Sequence, residues 1–173
     1  MRTIVGVATV IAVCATAGCT ERSTPPAPVS PQPAAIMLVC SDPIATVPSP
    51  PSDVLDVAGL DLTSTVQAND SGGAGPHRLF AKTALFVHAG HEADLSVPAP
   101  WSARVSITWG NHASEWTTSL RIPACPVPPS SPDAWLVFPG GFSIAEPACV
   151  PLEVRSGSEV KTVHVSVGSP CPA

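Results

Sequence analysis

Val150-Pro151-Leu152-Glu153-Val154-Arg155-Ser156-Gly157-Ser158-Glu159-Val160-Lys161-Thr162-Val163-His164-Val165-Ser166-Val167 is two alternating runs joined by a turn signal. Val150, Leu152 and Val154 recur at every second position, as do Val163, Val165 and Val167. A period of two puts each set on one face of a strand. Gly157 accepts the positive φ that a two-residue hairpin turn demands. A turn at Gly157-Ser158 sets Leu152 opposite Val163 and Val150 opposite Val165, so both apolar rows face one core. The segment predicts an antiparallel hairpin with one dry face and one wet face.

The same alternation runs through the preceding chain. Leu60, Leu62, Ser64 and Val66 stand against Asp61, Thr63, Thr65 and Gln67. Val105, Ile107 and Trp109 stand against Arg104, Ser106 and Thr108. Trp116, Thr118, Leu120 and Ile122 stand against Glu115, Thr117, Ser119 and Arg121. Leu79-Phe80 with Ala84-Leu85-Phe86-Val87 is more continuously apolar, as in a central strand buried on both faces. Pro139-Gly140-Gly141 predicts a hairpin turn between Trp135-Leu136-Val137-Phe138 and Phe142-Ser143-Ile144, and a second turn falls at Ala89-Gly90. Residues 69–75 read as a flexible loop tip. The 22 prolines interrupt almost every stretch that could form a helix. Eight or nine short strands at this spacing predict an all-β fold. It is an antiparallel β-sandwich, immunoglobulin-like in architecture, occupying residues 36–173 as a single domain.

The N-terminus reads differently. Met1-Arg2 is a short positive start, residues 3–13 are apolar, and Ala15-Thr16-Ala17-Gly18-Cys19 supplies small residues. This is a signal-peptide layout, and its apolar stretch is too short to span a bilayer. Ala17-Gly18-Cys19 resembles the lipobox of bacterial lipoproteins. That resemblance implies cleavage after Gly18 and a diacylglycerol on the Cys19 thiol. Thr16 departs from the family, which has an aliphatic residue there, and Ala15-Thr16-Ala17 also fits ordinary cleavage after Ala17.

Loss of Cys14 leaves Cys19, Cys40, Cys125, Cys149 and Cys171, an odd number for an oxidising compartment. Lipidation of Cys19 leaves four, enough for two disulfides. The expected organisation is therefore a signal peptide over 1–18, then lipidated Cys19 with a Pro-rich spacer over 19–35. The run Thr24-Pro25-Pro26-Ala27-Pro28-Val29-Ser30-Pro31-Gln32-Pro33 has little to bury and extends by about 3 Å per residue. Several acyl chains, palmitate among them, would hold such a protein stably at a membrane. Four cysteines allow three pairings. The expected one joins Cys125 to Cys149, clamping the Pro-rich insert between them, and Cys40 to Cys171, tying the ends of the domain. The hairpin register sets Cys149 opposite Ser166, which argues against Cys149–Cys171.

Net charge is −5, with 8 basic residues against 13 acidic ones and no basic cluster. Nothing there favours nucleic acid, or a polybasic contact with an anionic membrane.

His88-Ala89-Gly90-His91-Glu92 is the one metal-like cluster, making His88 and His91 candidate ligands, with His77 or His112 as a possible third. A turn at Ala89-Gly90, with His88 ending a strand and His91 in solvent, is the simpler reading, because the sequence identifies no third ligand. The His-x-His pair of copper-zinc superoxide dismutases is absent, and so is the Cys–His–Met loop of cupredoxins. No Gly-x-Ser-x-Gly elbow occurs, and His112 and Ser114 sit in an ordinary loop after Trp109-Gly110-Asn111. His164 falls on the wet side of its strand. Asp53, Asp56, Glu153 and Glu159 read as solvated strand ends, and Asp70 lacks the other ligands of an EF-hand. Of Trp101, Trp109, Trp116 and Trp135, Trp109 and Trp116 fall on core faces, and Trp101, just after Pro98-Ala99-Pro100, is the better candidate for an exposed sugar-stacking ring, although packing is the commoner fate of a tryptophan.

Phe80-Ala81-Lys82, Trp109-Gly110-Asn111, Phe138-Pro139-Gly140-Gly141-Phe142 and Pro147-Ala148-Cys149-Val150 together resemble a group of exported actinobacterial proteins with no assigned function. The resemblance implies a cell-envelope location and a non-enzymatic domain, and it carries no functional residues. The expected function is that of a binding or structural module outside the cytoplasmic membrane, without catalytic residues or cofactor. Its partners would be the membrane, through the lipid, and an envelope protein or cell-wall glycan. Contact would come through one sheet face or the loops around Trp101 and His112. The alternatives are a small metal carrier or hydrolase using His88 and His91, and a glycan binder using an exposed tryptophan.

Overall fold

A computed structural model describes residues 35–110 and 115–172. Strands are numbered in chain order. One sheet contains β1 (Ile36–Met37), β5 (Thr65–Val66), β8 (Ala93–Ser96), β10 (Ser119–Ile122), β12 (Ala148–Ser156) and β13 (Glu159–Val167), ordered β1-β10-β8-β12-β13-β5. The other contains β2 (Ala45–Val47), β3 (Val54–Val57), β4 (Leu60–Thr63), β6 (Asn69–Asp70), β7 (Leu79–His88), β9 (Val105–Trp109) and β11 (Trp135–Ile144). Its order is β2-β11-β7-β4-β3, with β6 on β7 and β9 on β11. All pairings are antiparallel except β1 with β10 and β13 with β5.

The C-terminal hairpin forms as its sequence dictates. Leu152 lies opposite Val163 and Val150 opposite Val165, with the turn at Gly157-Ser158. Val150, Leu152, Val154, Val165 and Val167 enter one core with Leu95, Leu120 and Ile122 of the same sheet. Leu60, Leu85, Ile107, Phe138, Phe142 and Ile144 of the other sheet meet them there. The architecture is an antiparallel β-sandwich. Each fully buried side chain of this size contributes about 1.5–3 kcal/mol, so this interdigitated layer dominates stability. β7 is a central strand, as its apolar run implies, flanked by β11 on one side and by β4 and β6 on the other.

Pro139-Gly140-Gly141 is not a turn. It lies inside β11, a single strand of 10 residues paired with β7 along its whole length. Pro139 is tolerated because β11 changes its other partner there, from β2 at Trp135–Val137 to β9 at Gly140–Ile144. The missing N–H falls in the gap, while the Pro139 carbonyl accepts from Gly110 N at 2.8 Å. The glycines serve close backbone approach. A Cβ on Gly140 would collide with the Thr108 carbonyl oxygen and the Trp109 side chain, and one on Gly141 with the Ala81 carbonyl oxygen. Gly140→Ala is therefore expected to lower stability by roughly 2 kcal/mol, read as a reduced urea midpoint. An unchanged midpoint would remove close approach as the reason for the glycine pair.

The expected disulfide pairing is also corrected. The bonds are Cys40–Cys125, with Cα atoms 5.3 Å apart, and Cys149–Cys171, with Cα atoms 4.7 Å apart. The parallel β1–β10 register, Met37 beside Arg121 and Leu38 N bonded to the Arg121 carbonyl, carries Cys40 alongside residues 124–125. Cys149 does lie opposite Ser166. Beyond β13, however, the chain folds back, and Cys171 N donates to Ser166 Oγ at 3.0 Å, bringing the two cysteines together.

Three smaller expectations fail for identifiable reasons. Asp61 is buried, not wet, because its cross-strand neighbour Phe86 and the next residue in that row, Val137, are themselves buried. Strict alternation stops at Thr117, which bridges Ile107 in one sheet before the chain crosses to β10 in the other. Thr117 Oγ1 donates to the Ser119 carbonyl and accepts from Ser119 N, pinning that bend. Residues 69–75 begin as β6 and are then tied down: Asp70 accepts from Gly72 N at 2.8 Å, and Ser71 Oγ donates to the His77 carbonyl at 2.5 Å.

Candidate functional site

The outer face of the first sheet carries the most extensive polar relief. In β12 the inward residues are Val150, Leu152 and Val154, so Glu153 and Arg155 point outward. The same alternation turns out Asp94 and Ser96 on β8, and Ser119 and Arg121 on β10. Register then aligns two rows across three strands: Arg121, Asp94 and Arg155, and beside them Ser119, Ser96 and Glu153. Val160 of β13 extends the first row and is 45% exposed.

Two adjoining hollows of about 380 and 340 Å³ share Asp94, Arg121 and Arg155. The first also touches Glu92 and Gly157, and the second Ser96, Ser119, Glu153 and Val160. The first opens where β8 begins, between the exit of β10 and the β12–β13 turn. Glu92 is held there by its carbonyl, which accepts from Ser156 Oγ at 3.0 Å.

Arg121 is committed within this trough. Its Nε donates to Asp94 Oδ1 at 2.9 Å and its Nη2 to Oδ2 at 3.5 Å. That hydrogen bond, then the Asp94 charge, holds the guanidinium more firmly protonated than usual. Among the described residues no ion pair engages Arg155, Glu153 or Glu92. The trough thus offers Arg155 and Glu153 without an ion-pair partner, while the Glu92 charge, like that of Asp94, acts on Arg121. Sequence reasoning treated Glu153 as a mere strand end and passed over Arg155, because nothing local reveals that β8 lies between β10 and β12.

His88 and His91 do come together, with ring centroids 4.8 Å apart and edge to face. Trp135 packs edge-on against His88 at 5.1 Å, and His91 covers Gly59. The turn at Ala89-Gly90 forms as expected, and His91 is exposed. His77 is not part of this group. Its Nδ1 lies 2.7 Å from Ser143 Oγ, and its ring faces Trp116. Among the described residues no set of three or more His, Cys, Asp or Glu side chains is arranged to hold a metal ion.

The His77–Ser143 contact, joining residues 66 apart, was invisible to sequence reading. Ser143 is only 2% exposed, so the pair fixes the 71–78 segment against β11 and leaves the hydroxyl shielded. Trp109 packs edge-on against Phe142 in the core, as its face predicted. Trp116 instead packs, half-buried, on His77 and Phe80. Trp101 is half-buried against the core and has the Arg104 guanidinium 3.9 Å from its ring centre, so one of the faces a sugar would need is occupied. His164 is exposed, as expected. His112 and Ser114 lie outside the described residues, as do Cys14, Cys19 and the Pro-rich spacer.

Burial and then the neighbouring Asp56 carboxylate push the Asp61 carboxyl from its ordinary 3.8 up to about 6. One of its oxygens has no hydrogen-bond partner.

No protein family, curated protein or solved structure matches the chain. Its function is argued from its own residues.

Proposed function

We propose that the chain is a lipid-anchored envelope protein whose sandwich acts as a non-catalytic binding or structural module outside the cytoplasmic membrane. The observation that carries this reading is the cysteine pairing. Cys40, Cys125, Cys149 and Cys171 consume one another in two disulfides, which indicates an oxidising compartment. Among the described residues no cysteine is then left over to pair with Cys19. A free thiol is unusual in that compartment, and an acylated one is not. The uncharged, proline-rich run after Cys19 suits a spacer that lifts the sandwich off a bilayer. The polar trough on the first sheet supports the binding reading, since it is concave, exposed and carries uncommitted charge.

Cys19→Ser tests the anchor. The native chain is expected to incorporate an alkyne-labelled palmitate and to sediment with membranes. The variant should take up no label and appear in the culture medium. A native chain found unlabelled in the medium would contradict the proposal, as would a variant that stays membrane-bound.

A further inference from the structure

We propose that the trough across β10, β8 and β12 binds a short zwitterionic peptide, with its carboxylate on Arg155 and its ammonium on Glu153. This deepens the binding-module reading above. Arg155 and Glu153 stand two residues apart on one face of β12, which places them about 7 Å from each other along the strand. The free termini of an extended dipeptide are separated by about the same length. The planar guanidinium matches a carboxylate through two parallel hydrogen bonds.

Asp94, in the row between Arg121 and Arg155, is already held by the Arg121 guanidinium, which leaves Arg155 for the ligand. Ser96 holds a half-buried hydroxyl in the row beside Glu153, where a peptide group can meet it, while Ser119 of the same row is buried. Val160, directly opposite Arg155 and 45% exposed, offers an apolar contact to the C-terminal side chain. Charge sets the ligand class. Glu92, Glu153 and the Arg121-paired Asp94 all line the trough, so a simple polyanion meets three carboxylates against two guanidiniums, whereas a zwitterion meets complementary charge at each end.

The test is saturation-transfer NMR on the full chain with alanyl-valine as the probe. Its C-terminal amide, its N-acetyl derivative, acetate and inorganic phosphate are the comparison ligands. Alanyl-valine should bind in the millimolar range, and blocking either terminus should weaken it at least fivefold. In Arg155→Gln the free and amidated peptides should bind equally. In Glu153→Gln the free and acetylated peptides should bind equally. Both side chains point away from the core, and among the described residues no ion pair engages either, so neither change threatens folding. No binding of alanyl-valine, tighter binding of phosphate or acetate than of the peptide, or native affinity in Arg155→Gln would each overturn the proposal. The measurement does not depend on where the chain is anchored, so its failure leaves the lipid-anchor reading standing.

Discussion

Replacing Cys40 and Cys125 together by serine will destabilise the sandwich by about 4.6 kcal/mol, the chain-entropy value for a cross-link closing 85 residues. The same treatment of Cys149 and Cys171, which close 22 residues, will cost about 3.4 kcal/mol. Small domains have only about 5–15 kcal/mol of total stability, so the first variant should lose from about a third to nearly all of it and unfold at a much lower urea concentration. Its loss also opens the core, because Cys125 is 1% exposed and packs within it. The long bond further staples the chain just after β1, a strand of two residues, to the edge of its sheet, adding to the buried Leu38 that already packs there. Urea unfolding of the two double variants checks the order. A larger loss from Cys149/Cys171 than from Cys40/Cys125 would show that loop closure does not govern these bonds.

Asp61→Asn is expected to stabilise the protein, and only above acidic pH. With a folded-state pKa of about 6 against an ordinary 3.8, Asp61 holds its proton more tightly in the native state than in the unfolded one. The stability tied to that proton is fully present below pH 3.8 and is lost as pH rises through 6. Above pH 7 the native protein carries a buried carboxylate with one oxygen unpartnered, which costs up to about 3 kcal/mol. Asparagine keeps the shape and removes the charge. Thermal unfolding at pH 4 should therefore give nearly equal stabilities. At pH 8 the variant should be more stable by up to about 3 kcal/mol, with a flatter dependence between. Equal stability at pH 8 would mean that Asp61 is solvated in the native state.

What the sequence made legible was local. The β12–β13 register could be read off because one turn signal and two period-two runs constrain each other within 18 residues. The buried face of β9 followed from its period-two alternation, and the centrality of β7 from its continuous apolar run. The failures all involve long-range neighbours. Pro139-Gly140-Gly141 has turn chemistry, yet its glycines answer to β7 and β9 backbones tens of residues away. Cys40 reaches Cys125 through a parallel pairing of two-residue β1 that no periodicity announces. Asp61 obeys its alternation but lies in a row that bulky neighbours close to water. The trough was missed for the same reason: Arg155, Asp94 and Arg121 become one row only when three distant strands line up.

The most direct test is mass spectrometry of the unreduced, proteolysed protein from its native membrane. The expected result is Cys40 linked to Cys125, Cys149 linked to Cys171, and an N-terminal peptide beginning at Cys19 with a diacylglycerol on its thiol. A disulfide joining Cys19 to any of the four other cysteines, or an unmodified chain beginning at Gly18, would contradict it.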